Sequence, residues 1–265
     1  MGSGRDVSRS SLIAHYSSLG LGVELRPEQE RAFAAYAAEL RDWNSRINLT
    51  AIDDPQDVQT RHFLDSLSCL LALDPDAVDG RVDPGRVPPF DVVDVGAGAG
   101  FPGLPLKILC PQLRLTLLES TGKKAAFLEH VVRRLELTAV SVVAERAETI
   151  GQRAEHRECY DVAVARAVAP LNVLVELCLP LLRVGGRLIA QKKGWLKEEL
   201  AAARAAINTV GGGEPTMIPV DLPGLEDAAD PSGETGGRVL VVVPKSSPTP
   251  ARYPRRPGMP TKRPL

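Results

Sequence analysis

No stretch of the 265 residues approaches the run of about 20 apolar side chains that spans a bilayer; apolar segments such as Leu67–Leu73 are short and flanked by polar residues. No charged start leads into an apolar stretch of the kind a secretory signal carries. A cytoplasmic protein that does not enter a membrane is therefore expected. Cysteine is scarce: Cys69, Cys110, Cys159 and Cys178 are scattered, with no Cys-x-x-Cys pair, and His15, His62, His130 and His156 are equally dispersed. That spacing excludes a zinc site and a disulfide framework, so no metal is expected and the thiols read as small, buried hydrophobes. An excess of either charge is missing too. With 32 Lys and Arg against 33 Asp and Glu, the formal charge is -1, and a polyanion would have to find local clusters of basic residues. No internal repeat is present. What remains, 44% hydrophobic and 25% charged residues, is the composition of one or two globular domains with a substantial core.

Residues 1–10 are small, polar and aperiodic, and read as a frayed terminus. From Pro27 to about Ser45, Phe33, Tyr36, Leu40 and Trp43, followed by Ile47, recur at steps of three and four and predict one buried stripe of a helix. Asp54-Pro55 then starts a second helix, buried through Val58, Leu64, Leu67, Leu70 and Leu71. Residues 74–89, rich in Pro, Asp and Gly, read as a linker closing a helical amino-terminal extension at 11–89. After Phe90 short β-branched runs alternate with helix-length segments, the signature of a parallel sheet with crossover helices. Strands are predicted at 91–95, 114–118, 140–144, 162–165, 187–191, 216–220 and 238–243, with helices at 104–109, 123–135, 171–182 and 195–210. The last strand is expected to insert antiparallel through a short hairpin, closing a domain at 90–245. The tail, 246–265, holds six prolines and five basic residues and no acid, so it is expected to stay extended and to offer its charges to the phosphates of a polyanion.

The strongest local signal is Asp91-Val-Val-Asp94-Val-Gly96-Ala-Gly98-Ala-Gly100-Phe101-Pro102-Gly103, a strand running into a glycine turn and then a helix. Such a turn holds an adenosine-type ligand at the carboxyl end of a first strand, and Glu119, at the end of the second, can accept bonds from ribose hydroxyls. Two ligands fit. Gly98, Gly100 and Gly103 satisfy the dinucleotide pattern, whereas Asp94 beside the turn favours the cationic S-adenosylmethionine over a pyrophosphate; an acid there can also cap the turn.

Several motifs together resemble the RsmG (GidB) family of bacterial 16S ribosomal RNA methyltransferases: Asp94 to Leu106, Leu117-Leu-Glu-Ser-Thr-Gly-Lys-Lys124, Arg146-Ala-Glu148, Ala165-Arg-Ala167 and Lys193-Gly194. Upstream, Trp43-Asn44, Asn48-Leu-Thr50 and Arg61-His-Phe-Leu-Asp-Ser66 are similar to the same family's amino-terminal part, as the tail is to its carboxyl termini. The resemblance implies a Rossmann-like class I methyltransferase fold, α/β with a seven-stranded, mostly parallel sheet and a helical amino-terminal extension. It also implies methylation of guanine N7 in 16S ribosomal RNA, or in a precursor of the small ribosomal subunit, with S-adenosylmethionine as cofactor. Cofactor contacts are implied at Gly96, Phe101, Glu119, Ala147, Glu148 and Arg166, beside the turn residues Asp94, Gly98 and Gly100. Phe101 departs from the family, in which a smaller aliphatic residue also occurs at that position. Arg166 and Lys193, at the ends of the fourth and fifth strands, are the candidate catalytic residues of what is expected to be a monomer.

The residues themselves agree with that chemistry. After strand four stands Arg166-Ala-Val-Ala-Pro170, without the acid or Asn that draws electrons from an exocyclic amine, and Cys110-Pro111 lies away from the turn that would hold the cofactor. Guanine N7 has an in-plane lone pair and loses no proton, so it needs alignment and no base. A methyltransferase of another RNA or small molecule, a nicotinamide-dependent oxidoreductase and a non-catalytic RNA-binding module remain as alternatives. Arg61-His62 reads equally as a solvated helix face or an RNA contact. Lys123 and Lys124 sit at a helix start that disfavours cations, which points to a role there; Arg133-Arg134 reads as a solvated face, and Phe33 and Trp43 as core.

Overall fold

The computed structural model describes residues 21–77, 80–194, 196–223, 225 and 237–265. The expected frayed terminus lies outside the described residues. Helix α1 (Pro27–Ile47) starts with proline in its first turn, with the Gln29 side chain closing back on the Arg26 N–H at 2.9 Å. Phe33, Tyr36 and Leu40 are buried, and Trp43 is half-buried against Phe127 and His130. The helix stops at Asn48, which takes a left-handed conformation, and Asn44 Oδ1 receives the N–H groups of Leu49 (2.7 Å) and Thr50 (2.9 Å).

The predicted second helix is broken into pieces. It begins as α2 (Pro55–Asp57), capped by the Asp54 carboxylate, widens into a π-helical stretch at Val58–Leu64, returns to α3 (Asp65–Leu67) and restarts as α4 (Leu70–Leu73). The widening breaks a uniform 3.6-residue period, so Leu71 ends half-buried while His62, Asp65 and Ser66 turn inward. Residues 74–89 are not a free linker. The Asp74 side chain is fully buried and accepts the N–H groups of Asp76 (3.0 Å) and Asp83 (2.8 Å) and the Arg86 guanidinium (2.9 Å), and Val82 and Val87 enter the core.

The sheet comprises β1 (Asp91–Val95), β2 (Arg114–Leu118), β3 (Val140–Val143), β4 (Tyr160–Arg166), β5 (Leu182–Lys193), β6 (Thr216–Val220) and β7 (Arg238–Pro244), ordered β3-β2-β1-β4-β5-β7-β6. Neighbours from β3 through β5 pair in parallel, and β7 runs antiparallel between β5 and β6. The orientation of β7 matches expectation. Its connection does not, because residues 221–237 separate it from β6 where a short hairpin was predicted. The connecting helices are α5 (Gly103–Leu109), α6 (Gly122–Arg134), α7 (Ala147–Ile150), α8 (Leu171–Cys178) and α9 (Lys197–Thr209). The amino-terminal helices, α5 and α6 share one core, and α7, α8 and α9 share the other, so the central strands are buried on both faces. The order reverses between β1 and β4, which makes their carboxyl ends the switch point where an open α/β sheet leaves a crevice.

The tail is docked onto the second core, not extended. Tyr253 is buried, and Arg157 donates to the carbonyls of Thr249 (2.7 Å) and Tyr253 (2.7 Å). Lys245, fully buried, donates to Leu179 O (2.9 Å) and Val210 O (3.2 Å), with burial lowering its pKa to about 8. Arg255 clamps the buried Glu176 carboxylate through Nε (2.8 Å) and Nη2 (2.6 Å), ahead of a final turn, α10 (Met259–Lys262). Removing the guanidinium strands a carboxylate inside the core, which costs about 3 kcal/mol or more. Arg255→Met is therefore expected to lower the urea midpoint strongly, and Arg255→Met with Glu176→Gln to recover much of the loss.

Candidate active site

The crevice at the switch point is built on the loop that leaves β1. Gly96 and Ala97 donate to Leu118 O (2.8 and 3.1 Å), Gly98 N–H to Glu119 Oε2 (2.9 Å) and Gly103 N–H to Asp94 Oδ2 (2.8 Å), so the loop is braced by β2 and by its own strand. Gly98 has φ +60°, and a Cβ there would meet only Gly96 O at 3.8 Å: it faces open space. Gly100, at φ +95°, is different. A Cβ on it would run into Leu104 and the Tyr36 hydroxyl, which donates to Ala99 O, so this glycine lets α1 seat against the loop.

A cavity of about 500 Å³ opens above the loop, lined by Gly96, Gly98 and Phe101 from the loop, Arg166, Gln191, Lys193 and Arg238 from the strand ends, and Thr50, His62 and Asp65 from the extension. Phe101 stacks on Tyr36 (5.4 Å) and on His62 (4.4 Å, interplanar 14°), with the Arg166 guanidinium carbon 4.9 Å from its ring centroid. Arg166 in turn donates to Asp65 Oδ2 (3.0 Å), Arg61 O (3.1 Å) and His62 Nδ1 (3.2 Å). The other Asp65 oxygen is held by Arg238 at 2.9 Å, and its backbone carbonyl accepts from Gln191 Nε2. One buried aspartate thus ties β4 and β7, through its carboxylate, and β5, through its backbone carbonyl, to the amino-terminal extension.

That environment sets the charges. Burial, then the adjacent Arg166, lowers the His62 pKa to about 3, so the ring is neutral. Burial raises Asp94 to about 7 against the opposing pull of the Gly103 N–H. Cys110 is buried and its thiol pushed up to about 12, an inert core group as expected.

Comparison with known proteins settles what this arrangement belongs to. The family model of rRNA small subunit methyltransferase G matches residues 29–221. A protein of Roseiflexus castenholzii named ribosomal RNA small subunit methyltransferase G is 50% identical over 244 residues, covering 92% of this chain and 95% of its own. Proteins of the same name from Dehalococcoides mccartyi strain CBDB1 and Deinococcus radiodurans are each 46% identical, over 250 and 245 residues, covering 94% and 92% of this chain and 97% and 88% of theirs. The chain belongs to this family. Membership in a methyltransferase family sets aside the nicotinamide oxidoreductase and the non-catalytic module.

Within this chain, the expected site residues fall into three groups. Gly96, Gly98, Phe101, Arg166 and Lys193 line the cavity. Asp94, Gly100 and Glu119 hold the loop from behind; Asp94 is completely buried, braces Gly103 and does not line the cavity, so it makes no direct contact there. Ala147 and Glu148 lie on α7, where the Glu148 side chain turns to the tail and accepts the Gly258 N–H at 2.8 Å. The solvated reading of His62 is also corrected: the ring is buried because the π-helical stretch rotates it onto Phe101. Lys124 lines the cavity, Lys192 is engaged by Glu199 (2.7 Å) and Ala169 O (2.9 Å), and Arg133 and Arg134 stay exposed as expected. Asp65, Arg238, Gln191 and Thr50 were not singled out as site residues. The available signal was a charge at a predicted buried strand start, Arg238, and two polar groups three residues apart, His62 and Asp65, in an apolar helical run.

The two shifted groups pull stability in opposite directions with pH. His62, lowered from 6.5 to about 3, contributes stability that is present above about pH 6.5 and lost as pH falls toward 3, because the unfolded chain binds its proton first. Asp94, raised from 3.8 to about 7, contributes stability present below about pH 4 and lost as pH rises through 7. Urea midpoints between pH 4 and 7 should therefore fall less steeply on acidification in His62→Asn than in the native chain, and more steeply in Asp94→Asn.

Proposed function

We propose that this chain transfers the methyl group of S-adenosylmethionine to N7 of a guanine in 16S ribosomal RNA, acting on the free RNA or on a small-subunit precursor. The observation that carries the choice of N7 is the absence of an available base among the described residues of the cavity. Asp65 has both carboxylate oxygens bonded to guanidinium groups, and His62 accepts from Arg166 at Nδ1 with its pKa lowered to about 3. A reaction that removes a proton from its nucleophile finds no acceptor there; N7 brings its own lone pair and asks only for alignment.

The residues present fit the cofactor. Gly98 leaves open the space that a Cβ would fill, directly over the cavity, and Glu119 and the α7 start flank the loop where the ribose and adenine would be held. S-adenosylmethionine, when bound, supplies an electrophilic methyl on a sulfonium. The chain's own part is to hold the loop through Asp94 and Glu119, to wall the cavity with Phe101 against water, and to fix Arg166 above that ring. Lys193, exposed at the end of β5, is placed for a phosphate contact. N7 lies on the major-groove edge, which an A-form helix closes to side chains, so the target guanine belongs in a loop or a loosened region. A monomer in the bacterial cytoplasm is the setting that fits this substrate, and no helix among the described residues is long and apolar enough to cross a membrane.

Mass-spectrometric mapping of 16S RNA from cells lacking the protein should reveal one missing N7-methylguanine, and an intact modification pattern would refute the assignment. In calorimetry, S-adenosylhomocysteine should bind the native chain, whereas Gly98→Val should lose binding, since a side chain there enters the cavity and a β-branched residue is strained at a φ of +60°.

Docking of the tail narrows its contribution to RNA. Arg255 is committed to Glu176, leaving Arg252, Arg256, Lys262 and Arg263 exposed on a folded surface. If these meet phosphates, replacing two of them with Gln should reduce the slope of log affinity against log salt by about one to two units, with Arg255 playing no part.

A further inference from the structure

Resting on the proposed reaction at guanine N7, we infer that the Thr50 hydroxyl selects guanine over adenine by donating a hydrogen bond to O6 of the target base. The direction of that bond follows from a chain of fixed donors. A guanidinium has no acceptor, so the contact between Arg166 Nη2 and His62 Nδ1 (3.2 Å) makes Nδ1 the accepting nitrogen. The buried ring, beside a cation, is neutral and carries its proton on Nε2. Nε2–H therefore donates to Thr50 Oγ1, 2.8 Å away, and the backbone N–H of Ile52 donates to the same oxygen at 3.0 Å. Both lone pairs of the hydroxyl are then occupied. It can act only as a donor, and no group among the described residues accepts from it.

Its position suits the role. Asn44 Oδ1 pins the Thr50 backbone at 2.9 Å, and the residue is half-buried on the cavity wall that also carries Phe101, His62 and Arg166. Guanine presents N7 and O6, both acceptors, on the edge to be methylated, whereas adenine presents N7 and an amino donor. N7 must keep its lone pair for the methyl group, which leaves O6 as the acceptor for a protein donor. Against an adenine amino group the Thr50 hydrogen would meet another hydrogen, and the hydroxyl cannot turn to accept because His62 and Ile52 hold its lone pairs. Arg166 thus acts at one remove on base choice: it sets the tautomer of His62, which sets the polarity of Thr50.

The test uses the full chain and an RNA fragment bearing the guanine identified by mass mapping, made with guanine or with 2,6-diaminopurine at that position. Diaminopurine keeps N7 and replaces O6 with an amino donor. The native protein should prefer guanine by about tenfold or more in kcat/KM, the scale of one well-placed hydrogen bond plus the cost of opposing donors. Thr50→Val should lose roughly threefold to tenfold on guanine and little on diaminopurine, so that discrimination collapses, and Thr50→Ser should restore it. Affinity for S-adenosylhomocysteine should be the same in all three. Should Thr50→Val fail to fold, Thr50→Cys keeps the shape with a weaker donor and should blunt the preference. Equal use of the two bases by the native protein overturns the inference, as does full discrimination retained by Thr50→Val. So does a loss of S-adenosylhomocysteine affinity in Thr50→Val with discrimination intact, which would assign the hydroxyl to the cofactor. Failure of the native protein to methylate guanine N7 at all would instead refute the reaction on which the inference rests.

Discussion

The Asp65 carboxylate is the point at which the parts of this molecule meet. Two guanidinium groups from different strands, Arg166 on β4 and Arg238 on β7, converge on its two oxygens, and Gln191 on β5 takes its backbone carbonyl. A charge this deeply buried is tolerated only because it is paired and fully hydrogen-bonded. The geometry that satisfies it requires the amino-terminal extension to lie across the carboxyl ends of the central strands. The extension is therefore a wall of the site, and the cavity exists between it and the glycine loop.

The same requirement explains the irregular second helix. In the π-helical stretch the backbone departs from ideal α geometry, yet His62 there reaches both Phe101 and Arg166, and Asp65 just beyond it reaches both arginines. A regular helix would keep the apolar stripe in register and point these polar groups elsewhere. Local helical regularity has yielded to the polar network. In the second core, Arg255 and Glu176 do a similar job for the tail, which rests on α7 and α8 and supplies the Gly258 N–H to Glu148. The two networks tie the regions flanking the sheet back onto it.

Much was legible in the sequence because it depends on near neighbours. Period-two and period-3.6 patterns carry strand and helix identity, and the seven strand positions and the parallel α/β class follow from them. The glycine loop was legible for the same reason: Asp94, Gly98, Gly100 and Phe101 lie within one turn, and their backbone demands are local. The motifs resembling the methyltransferase family were also contiguous, and the family comparisons agree with them. Only the tertiary structure decided what each of these residues does. Asp94 looked like a cofactor group and is a buried brace, and His62 looked like a surface residue and is buried in the wall of the site. Arg255 sat in a tail that composition described as free, and it is locked to Glu176. In each case the partner lies 9 to 104 positions away in the chain, as with Gly103 for Asp94 and Arg166 for His62. Side-chain chemistry is set by whichever groups share its burial, and sequence order does not record which those are.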